Sequence, residues 1–357
     1  MSTEPSSRPI MSRPVVLPGA TATSLDEIDQ VLRERHPDPV RAPRHLALAR
    51  ATQVATRYLS RPIQDLLDPD GGTRTGLGWV SDALFELTGR AARQALDQQQ
   101  ITPGGIDALV VASVSGWMMP GIAEHLGNVL GLRPEVRRIS CTQSGCAGSA
   151  VALQRAAEQV AVNPDAVVLV VAADVGSAAI HPGLDDDSDF IFTALLGDGA
   201  AAWVVRGSAG ATEPGLLLGA PWSYLLPGSL ERYRYWVEAG GARFASTRNA
   251  PEAISEIAPK LLSWYQDQAP GQEPRIVAAH PGGPAIMRNL AEALKLDGAR
   301  LARSWQSLAE FGNMGAASLA DVLARHFDDQ PAAGDAGLII GLGPGVQCEA
   351  LTCWWAA

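Results

Sequence analysis

The sequence has 357 residues with a net charge of −10, and apolar residues make up 46% of it. This length and composition are those of a soluble globular protein large enough for two domain-sized units. The acidic balance, without a basic run, excludes a protein that binds nucleic acid through its phosphates. No stretch reaches the ~18 consecutive apolar residues of a membrane helix, and the N-terminus lacks the apolar core of a secretory signal. We therefore expect a cytoplasmic protein with reduced thiols.

Short apolar runs alternate with helical patterns along the chain, after a first segment, residues 1–14, that is typical of a disordered tail. Fully apolar runs of this length are typical of strands buried on both faces, and their alternation with helices predicts a layered α/β fold. The predicted strands are 107–114, 165–175, 200–207, 275–280 and 336–343, and the clearest helical patterns are 79–96 and 252–268.

A strand, a helix start rich in small residues and a second strand occur twice in the chain, at a constant offset of 167 residues. Any two α/β units share some likeness, so one explanation is coincidence. The other is an internal duplication, with two similar halves facing each other across a pseudo-two-fold axis. The aligned segments are 107–116 with 274–283, and 144–159 with 311–326.

The duplication places Cys146 opposite Asn313, each at a helix start, and His280 at the end of a strand. A thiol, an imidazole and an amide then converge. A helix N-terminus and a nearby imidazole lower the pKa of a cysteine and favour the nucleophilic thiolate. Histidine can take the thiol proton. Together, His and Asn can donate hydrogen bonds to a developing enolate or oxyanion.

Each of these residues also has an ordinary structural explanation. A lone buried cysteine is usually core, a histidine before Pro-Gly-Gly is usually a turn residue, and an asparagine at a helix start is usually a cap. Their convergence in a duplicated chain favours the catalytic interpretation. The other histidines have no comparable setting, and we predict no metal site because no metal-ligand spacing is present.

Five segments occur in the order seen in one enzyme family, and the similarity to that family extends over roughly residues 40–357. With them the chain resembles the type III polyketide synthases, the chalcone synthase family of the thiolase-like superfamily. The resemblance implies a duplicated five-layer α-β-α-β-α sandwich. Its N-terminal half, 15–208, would carry the nucleophilic cysteine, and its C-terminal half, 209–357, the histidine and asparagine. The segments are GLRPEVRRISCTQSGCAGSA, LLGDGAAAWVV, HPGGPAI, EFGNMGAASLADVL and GLGPGVQCEAL.

The resemblance also implies roles for single residues. Cys146 would be the acylated nucleophile, while His280 and Asn313 would drive decarboxylation of a malonyl-type extender and hold its enolate. Met119 would cross the interface of a homodimer into the neighbouring site. In GLGPG, the backbone at Gly343 and Gly345 can approach a substrate closely and supply amide donors, so we count both among the substrate-binding candidates.

Several positions depart from the family pattern. In the family, three basic residues hold coenzyme A. The matching positions in this chain are Arg44, Ala47 and Ala51, so one cation remains. The aromatic gatekeeper before Gly-Asp-Gly is Leu196. We therefore expect an apolar, open site that suits acyl chains, with Arg44 and Leu196 on the substrate. Small residues replace hydroxyl-bearing ones at 176, 179 and 315.

The sequence thus predicts a homodimeric β-ketoacyl synthase of the type III polyketide synthase kind, active in secondary-metabolite biosynthesis. It would load an acyl group on Cys146 and condense it with a second thioester by Claisen chemistry, without a cofactor. The weak coenzyme A clamp leaves open delivery by an acyl carrier protein. Two sets of arginines are candidate surfaces for it: Arg41, Arg44, Arg50, Arg57 and Arg61, and Arg133, Arg137 and Arg138. Two alternatives are a non-decarboxylating acyltransferase of the same fold and an inactive partner subunit.

Overall fold

The computed structural model describes residues 8–68, 78–184, 186–238 and 241–357. The strands are β1 (Pro9–Met11), β2 (Val15–Pro18), β3 (Thr21–Ser24), β4 (Thr56–Leu59), β5 (Ala108–Ser113), β6 (Arg137–Thr142), β7 (Val168–Val175), β8 (Asp198–Gly207), β9 (Gly215–Leu225), β10 (Tyr233–Glu238), β11 (Gly241–Ser246), β12 (Ile276–Ala279), β13 (Ala336–Gly343) and β14 (Gln347–Ala356). The helices are α1 (Leu25–Glu34), α2 (Ala42–Arg50), α3 (Ile63–Leu66), α4 (Gly78–Gln98), α5 (Ile122–Leu130), α6 (Gly148–Val162), α7 (Asp187–Leu195), α8 (Ala253–Gln268), α9 (Pro284–Ala293), α10 (Ala302–Phe311) and α11 (Ala317–Asp329).

Ten strands form one mixed sheet in the order β12-β13-β14-β9-β1-β8-β7-β5-β6, with β2 also paired to β8. In the N-terminal half β5 lies parallel to β6 and β7, and β7 is antiparallel to β8. The C-terminal half repeats this pattern, since β12 is parallel to β13 and β13 is antiparallel to β14. The short strand β1 pairs with both β8 and β9 and so joins the two halves.

The predicted disordered tail is wrong for the residues that the structure describes. Pro9–Met11 forms a strand whose backbone pairs on both sides, and Ile10 and Met11 are 5% and 0% exposed. The paired backbone and two buried side chains outweigh the polar composition that suggested disorder. Residues 1–7 lie outside the described residues. The boundary between 208 and 209 falls in a 3-10 turn before β9 and stays a prediction.

The helices complete five layers. Helices α6 and α11 lie at the centre, and their apolar faces share one core with residues from both halves of the sheet, including Val170 and Ile339. Helices α4 and α5 cover the outer face of the N-terminal half. Helices α8 and α9 cover the outer face of the C-terminal half. The predicted duplicated α-β-α-β-α sandwich is confirmed. None of the helices within the described ranges is long and apolar enough to cross a membrane.

Candidate active site

The nucleophile candidate Cys146 lies in a tight turn between β6 and α6. Gly145 has φ of +54°, and a Cβ there would lie 2.7 Å from Pro344 Cδ. A Cβ on Gly343 would lie 2.6 Å from the carbonyl oxygen of Ser144. Glycine is therefore required at both places, because the GLGPG segment packs directly against the turn that presents the thiol.

Asn313 lies opposite Cys146, at the start of the equivalent central helix. The Cys146 Sγ is 3.9 Å from both Oδ1 and Nδ2 of Asn313. One turn further along, Ser149 Oγ donates to the carbonyl oxygen of Ala316 at 2.5 Å, again between positions 167 residues apart. The approach across the axis that the repeat predicted is thus present, and equivalent residues of the two halves meet there.

The side-chain amide of Asn313 has a fixed orientation. Its Oδ1 accepts the backbone N–H of Gly315 at 3.0 Å, which is the cap role common at helix starts. Its backbone N–H donates to Leu195 O at 2.8 Å, and its carbonyl accepts the N–H of Gly197 at 2.9 Å. With Oδ1 committed to the cap, Nδ2 is the group that can donate to a ligand beside Cys146.

His280 follows β12 and is 2% exposed. Its backbone N–H donates to Ile340 O at 2.8 Å, which fixes the residue at the strand end. Neither ring nitrogen has a hydrogen-bond partner among the described residues. Burial lowers the pKa of His280 to about 3. The imidazole is therefore neutral at pH 7, with one nitrogen able to donate and the other able to accept.

The charge state of the thiol differs from the expectation. Burial, followed by the nearby carboxylate of Asp174, raises the pKa of Cys146 to about 12, although the hydrogen bond to Asn313 opposes this shift. The predicted lowering of this pKa by a helix start and an imidazole is therefore wrong for the free protein. A neutral, buried histidine supplies no positive charge, and desolvation disfavours the thiolate.

Sequence reasoning missed Asp174, a fully buried carboxylate at the end of β7. One oxygen, Oδ1, accepts the backbone N–H groups of Val114 and Ser115 at 2.8 and 3.0 Å, and the hydroxyl of Ser115 at 3.0 Å. The other, Oδ2, accepts the N–H of Ala316 at 2.8 Å. The side chain thus joins the end of β5 to the start of α11, and burial raises its pKa. No sequence motif marked it, because its role depends on contacts between the halves.

Two cavities meet at Cys146. The first contains all three candidate catalytic residues and has otherwise mainly apolar walls. The second lies on the side of Asp174 and has small residues in its walls. Phe244 borders both cavities and packs edge-on against Phe192 at 4.5 Å between ring centroids. The first is lined by Cys146, Phe192, Tyr233, Phe244, Ile254, His280, Ile286, Asn313, Leu342, Gly343 and Val346, among others. The second includes Gly176, Ala179, Leu196, Tyr235 and Gly315.

The structure distributes the remaining predicted residues over different places. Leu196 lines the second cavity and Gly343 the first. Gly345 and Met119 line a neighbouring surface groove, where Met119 is 98% exposed. Arg44 lines none of these cavities and instead pairs with Asp187 at the start of α7.

The hairpin β10–β11 contributes cavity residues that the sequence analysis did not identify. Tyr233, Tyr235 and Phe244 come from it and border the cavities. Three of the four residues in YRYW are aromatic, and this enrichment is a strand signal that could have located β10. No group of three or more His, Cys, Asp or Glu within the described parts of the chain could hold a metal ion.

The chain matches two family models. The N-terminal domain of chalcone and stilbene synthases matches residues 73–209, and the C-terminal domain matches residues 221–354. Together they span more than half of the chain.

Relatives of known activity match over nearly the whole length. The 1,3,6,8-tetrahydroxynaphthalene synthase of Streptomyces coelicolor is 31% identical over 350 residues, which cover 97% of this chain and 92% of that protein. The phloroglucinol synthase of Pseudomonas fluorescens is 30% identical over 347 residues, covering 96% and 98%.

Solved structures agree with the sequence relatives. The crystal structure of the Streptomyces coelicolor tetrahydroxynaphthalene synthase, a bacterial type III polyketide synthase, has a TM-score of 0.91 at 30% identity. It covers 98% of this chain and 100% of its own. Germicidin synthase from the same organism has a TM-score of 0.90 at 27% identity, with coverage of 98% and 100%.

Proposed function

This chain belongs to the chalcone and stilbene synthase family, the type III polyketide synthases, and we propose that Cys146, His280 and Asn313 carry its condensing chemistry. The observation that supports this most is the meeting of the thiol, the oriented amide and the neutral imidazole in one cavity. The proposed enzyme acts in the cytoplasm, in keeping with its four free cysteines, because thiols there stay reduced.

The first half-reaction loads the starter. Sγ of Cys146 attacks the carbonyl carbon of an acyl thioester while its proton passes to the unpartnered nitrogen of His280. The thiolate and the imidazolium stabilise each other during this step, although each alone is disfavoured by burial. The carbon–sulfur bond to the departing carrier breaks, and the leaving thiolate takes the proton from His280. The acyl group is left on Cys146.

The second half-reaction makes the new carbon–carbon bond. A malonyl thioester loses its carboxylate as CO₂, and the electron pair of the broken bond forms an enolate. The N–H of His280 and Nδ2 of Asn313 donate hydrogen bonds to the enolate oxygen, and such donors contribute roughly 3 kcal/mol each in a dry site. The enolate carbon attacks the acyl carbonyl, and Cys146 leaves as a thiolate. A proton taken up from water then restores the thiol.

The walls of the cavities favour apolar starters. The first cavity is bounded mainly by apolar residues, and the wall of the second includes the small residues Gly176, Ala179 and Gly315. Leu196, at the gatekeeper position, is 7% exposed and lines the second cavity. We propose a linear acyl thioester as starter, since mainly apolar walls favour the burial of hydrocarbon.

The two alternative functions are less well supported. A non-decarboxylating acyltransferase forms no enolate, so it needs no enolate donor of the kind that Asn313 presents 3.9 Å from Cys146. An inactive partner subunit needs no cavity at the thiol, whereas two cavities meet at Cys146.

A homodimer is part of the proposal. Strand β6 is at the edge of the large sheet, and the adjoining surface groove contains exposed apolar side chains. An unpaired edge strand beside an apolar patch is typical of an interface between chains. In that arrangement Met119 would reach the neighbouring site. The exposed members of the patch are Trp117, Met119, Leu230 and Val237, at 38%, 98%, 71% and 51%.

Of the two carriers that the sequence left open, we propose coenzyme A. Two arginines of the second candidate surface for a carrier protein are ion-paired within the chain: Arg133 with Asp107 at 2.7 Å, and Arg138 with Glu124 at 3.7 Å. The third, Arg137, donates to Gln159 Oε1 at 2.6 Å. Arg44 is also paired, with Asp187, so the phosphates of coenzyme A would compete with this carboxylate for it. A carrier-bound thioester whose kcat/KM exceeds that of the matching coenzyme A thioester, and falls as the salt concentration rises, would contradict this choice.

The test is a panel of acyl-coenzyme A starters, each with malonyl-coenzyme A, given to the wild type and to Cys146→Ala. Mass spectrometry of protein and products should show an acyl adduct on Cys146 and β-keto or cyclised products from the wild type alone. An adduct on Cys141, Cys348 or Cys353 in Cys146→Ala would overturn the assignment. Transfer of the acyl group to an alcohol or amine, without loss of CO₂, would favour the acyltransferase.

A further inference from the structure

Tyr233, the first residue of β10, has a buried hydroxyl with no hydrogen-bond partner among the described residues. Strand pairing fixes its backbone opposite Ser246. A buried polar group without a partner costs free energy, and most such groups in native proteins find one. We therefore expect a ligand in the cavity to supply the missing hydrogen-bond partner of this hydroxyl.

The surroundings of Tyr233 indicate where that partner would be. The residue borders the first cavity, together with Cys146 and His280, and it also borders the surface groove. Its ring centroid is 6.4 Å from that of Phe244, which borders both cavities. Apart from the three catalytic candidates, Tyr233 carries the only polar side-chain group in the wall that the structure describes for this cavity. A hydrocarbon chain alone would leave this hydroxyl unpaired.

We propose that the Tyr233 hydroxyl donates a hydrogen bond to the ketone oxygen of a β-ketoacyl chain, and so selects partly extended chains over the saturated starter. This inference rests on the proposed function, because each condensation introduces a ketone two carbons from the thioester carbonyl, where the starter has only hydrocarbon. Burial raises the pKa of Tyr233, so the phenol keeps its proton and remains a donor.

Binding separates this role from turnover. In the Cys146→Ala background, which cannot be acylated at that position, the dissociation constants of 3-oxooctanoyl-coenzyme A and octanoyl-coenzyme A are measured by calorimetry with and without Tyr233→Phe. The matched control is Tyr265→Phe. Tyr265, on α8, also has a buried hydroxyl without a partner among the described residues, but it borders none of the three cavities at the site.

Tyr233→Phe should weaken binding of the 3-oxo thioester about tenfold and leave octanoyl-coenzyme A within twofold, as expected for one lost hydrogen bond. Tyr265→Phe should change neither. Equal effects on both thioesters, or none on the 3-oxo thioester, would overturn the inference. Failure of the proposed function is distinguishable, because it would appear as absent condensation by the wild type.

Discussion

At the scale of single residues, the free enzyme combines a protonated thiol with a neutral imidazole. Burial is the main cause for both, since desolvation disfavours the thiolate of Cys146 and the imidazolium of His280 alike. The carboxylate of Asp174 adds to the effect on the thiol. We infer that the nucleophile is activated only when a substrate is present and the proton can move within the pair.

This charge state predicts a pH dependence for alkylation. Because the pKa of Cys146 is raised to about 12, its thiolate fraction should rise about tenfold per pH unit from pH 7 to 10. The rate of carbamidomethylation by iodoacetamide, followed at Cys146 by peptide mass spectrometry, should rise in parallel. A rate that is already at its plateau at pH 7 would indicate a preformed thiolate.

A second variant checks the electrostatic cause. Asp174→Asn removes the negative charge that disfavours the thiolate, so alkylation of Cys146 at pH 8 should become faster. An unchanged or slower rate in a folded variant would show that Asp174 does not contribute to the shift.

At the scale of elements, continuous apolar runs were sufficient to predict five strands, because β5, β7, β8, β12 and β13 are buried along their whole length apart from one residue of β8. The same signal failed for β6, whose residues are exposed or half-buried at the sheet edge. It failed for β1 because three residues have too little pattern of their own, and their pairing partners are distant in sequence.

Two glycines in helices provide a matched test of the close contact between α6 and α11. A Cβ on Gly148 would lie 2.9 Å from the Cβ of Ala316, and a Cβ atom moves only with its backbone. A Cβ on Gly127, in α5, would meet nothing within 4 Å. Gly148→Ala should therefore lower the free energy of unfolding by about 1–3 kcal/mol. Gly127→Ala should raise it by up to about 1 kcal/mol through helix propensity. Denaturant titration measures both, and equal effects would contradict the packing account.

At the scale of the whole molecule, the internal repeat predicted more of the site than any single motif. The equal offsets of Cys146 with Asn313 and of Ser149 with Ala316 put both pairs in contact across the axis. The repeat could not predict Asp174 or Tyr233, because neither has a sequence signature. Their positions depend on how the halves and the hairpin β10–β11 close over the cavities.

The proposed dimer makes Met119 a sensitive position. Met119→Asp places a charge on a side chain that is 98% exposed, so the isolated chain should tolerate it while an apolar interface should not. Analytical ultracentrifugation should show a shift from dimer to monomer and a parallel loss of condensing activity. Val162→Asp is the control, since Val162 is 82% exposed at the far end of α6. If both variants sediment like the wild type, Met119 does not lie in the interface.

In the proposed mechanism loading and condensation are separate steps, and Asn313 serves the second. The most direct test is Asn313→Ala, incubated with an acyl-coenzyme A alone and then with malonyl-coenzyme A, with the acyl-enzyme and the products measured by mass spectrometry. We predict that Cys146 is acylated at a rate within a few-fold of the wild type, while condensation falls roughly a hundredfold to a thousandfold with the loss of one enolate donor. Condensation at the wild-type rate, or loss of acylation in a folded variant, would contradict the account.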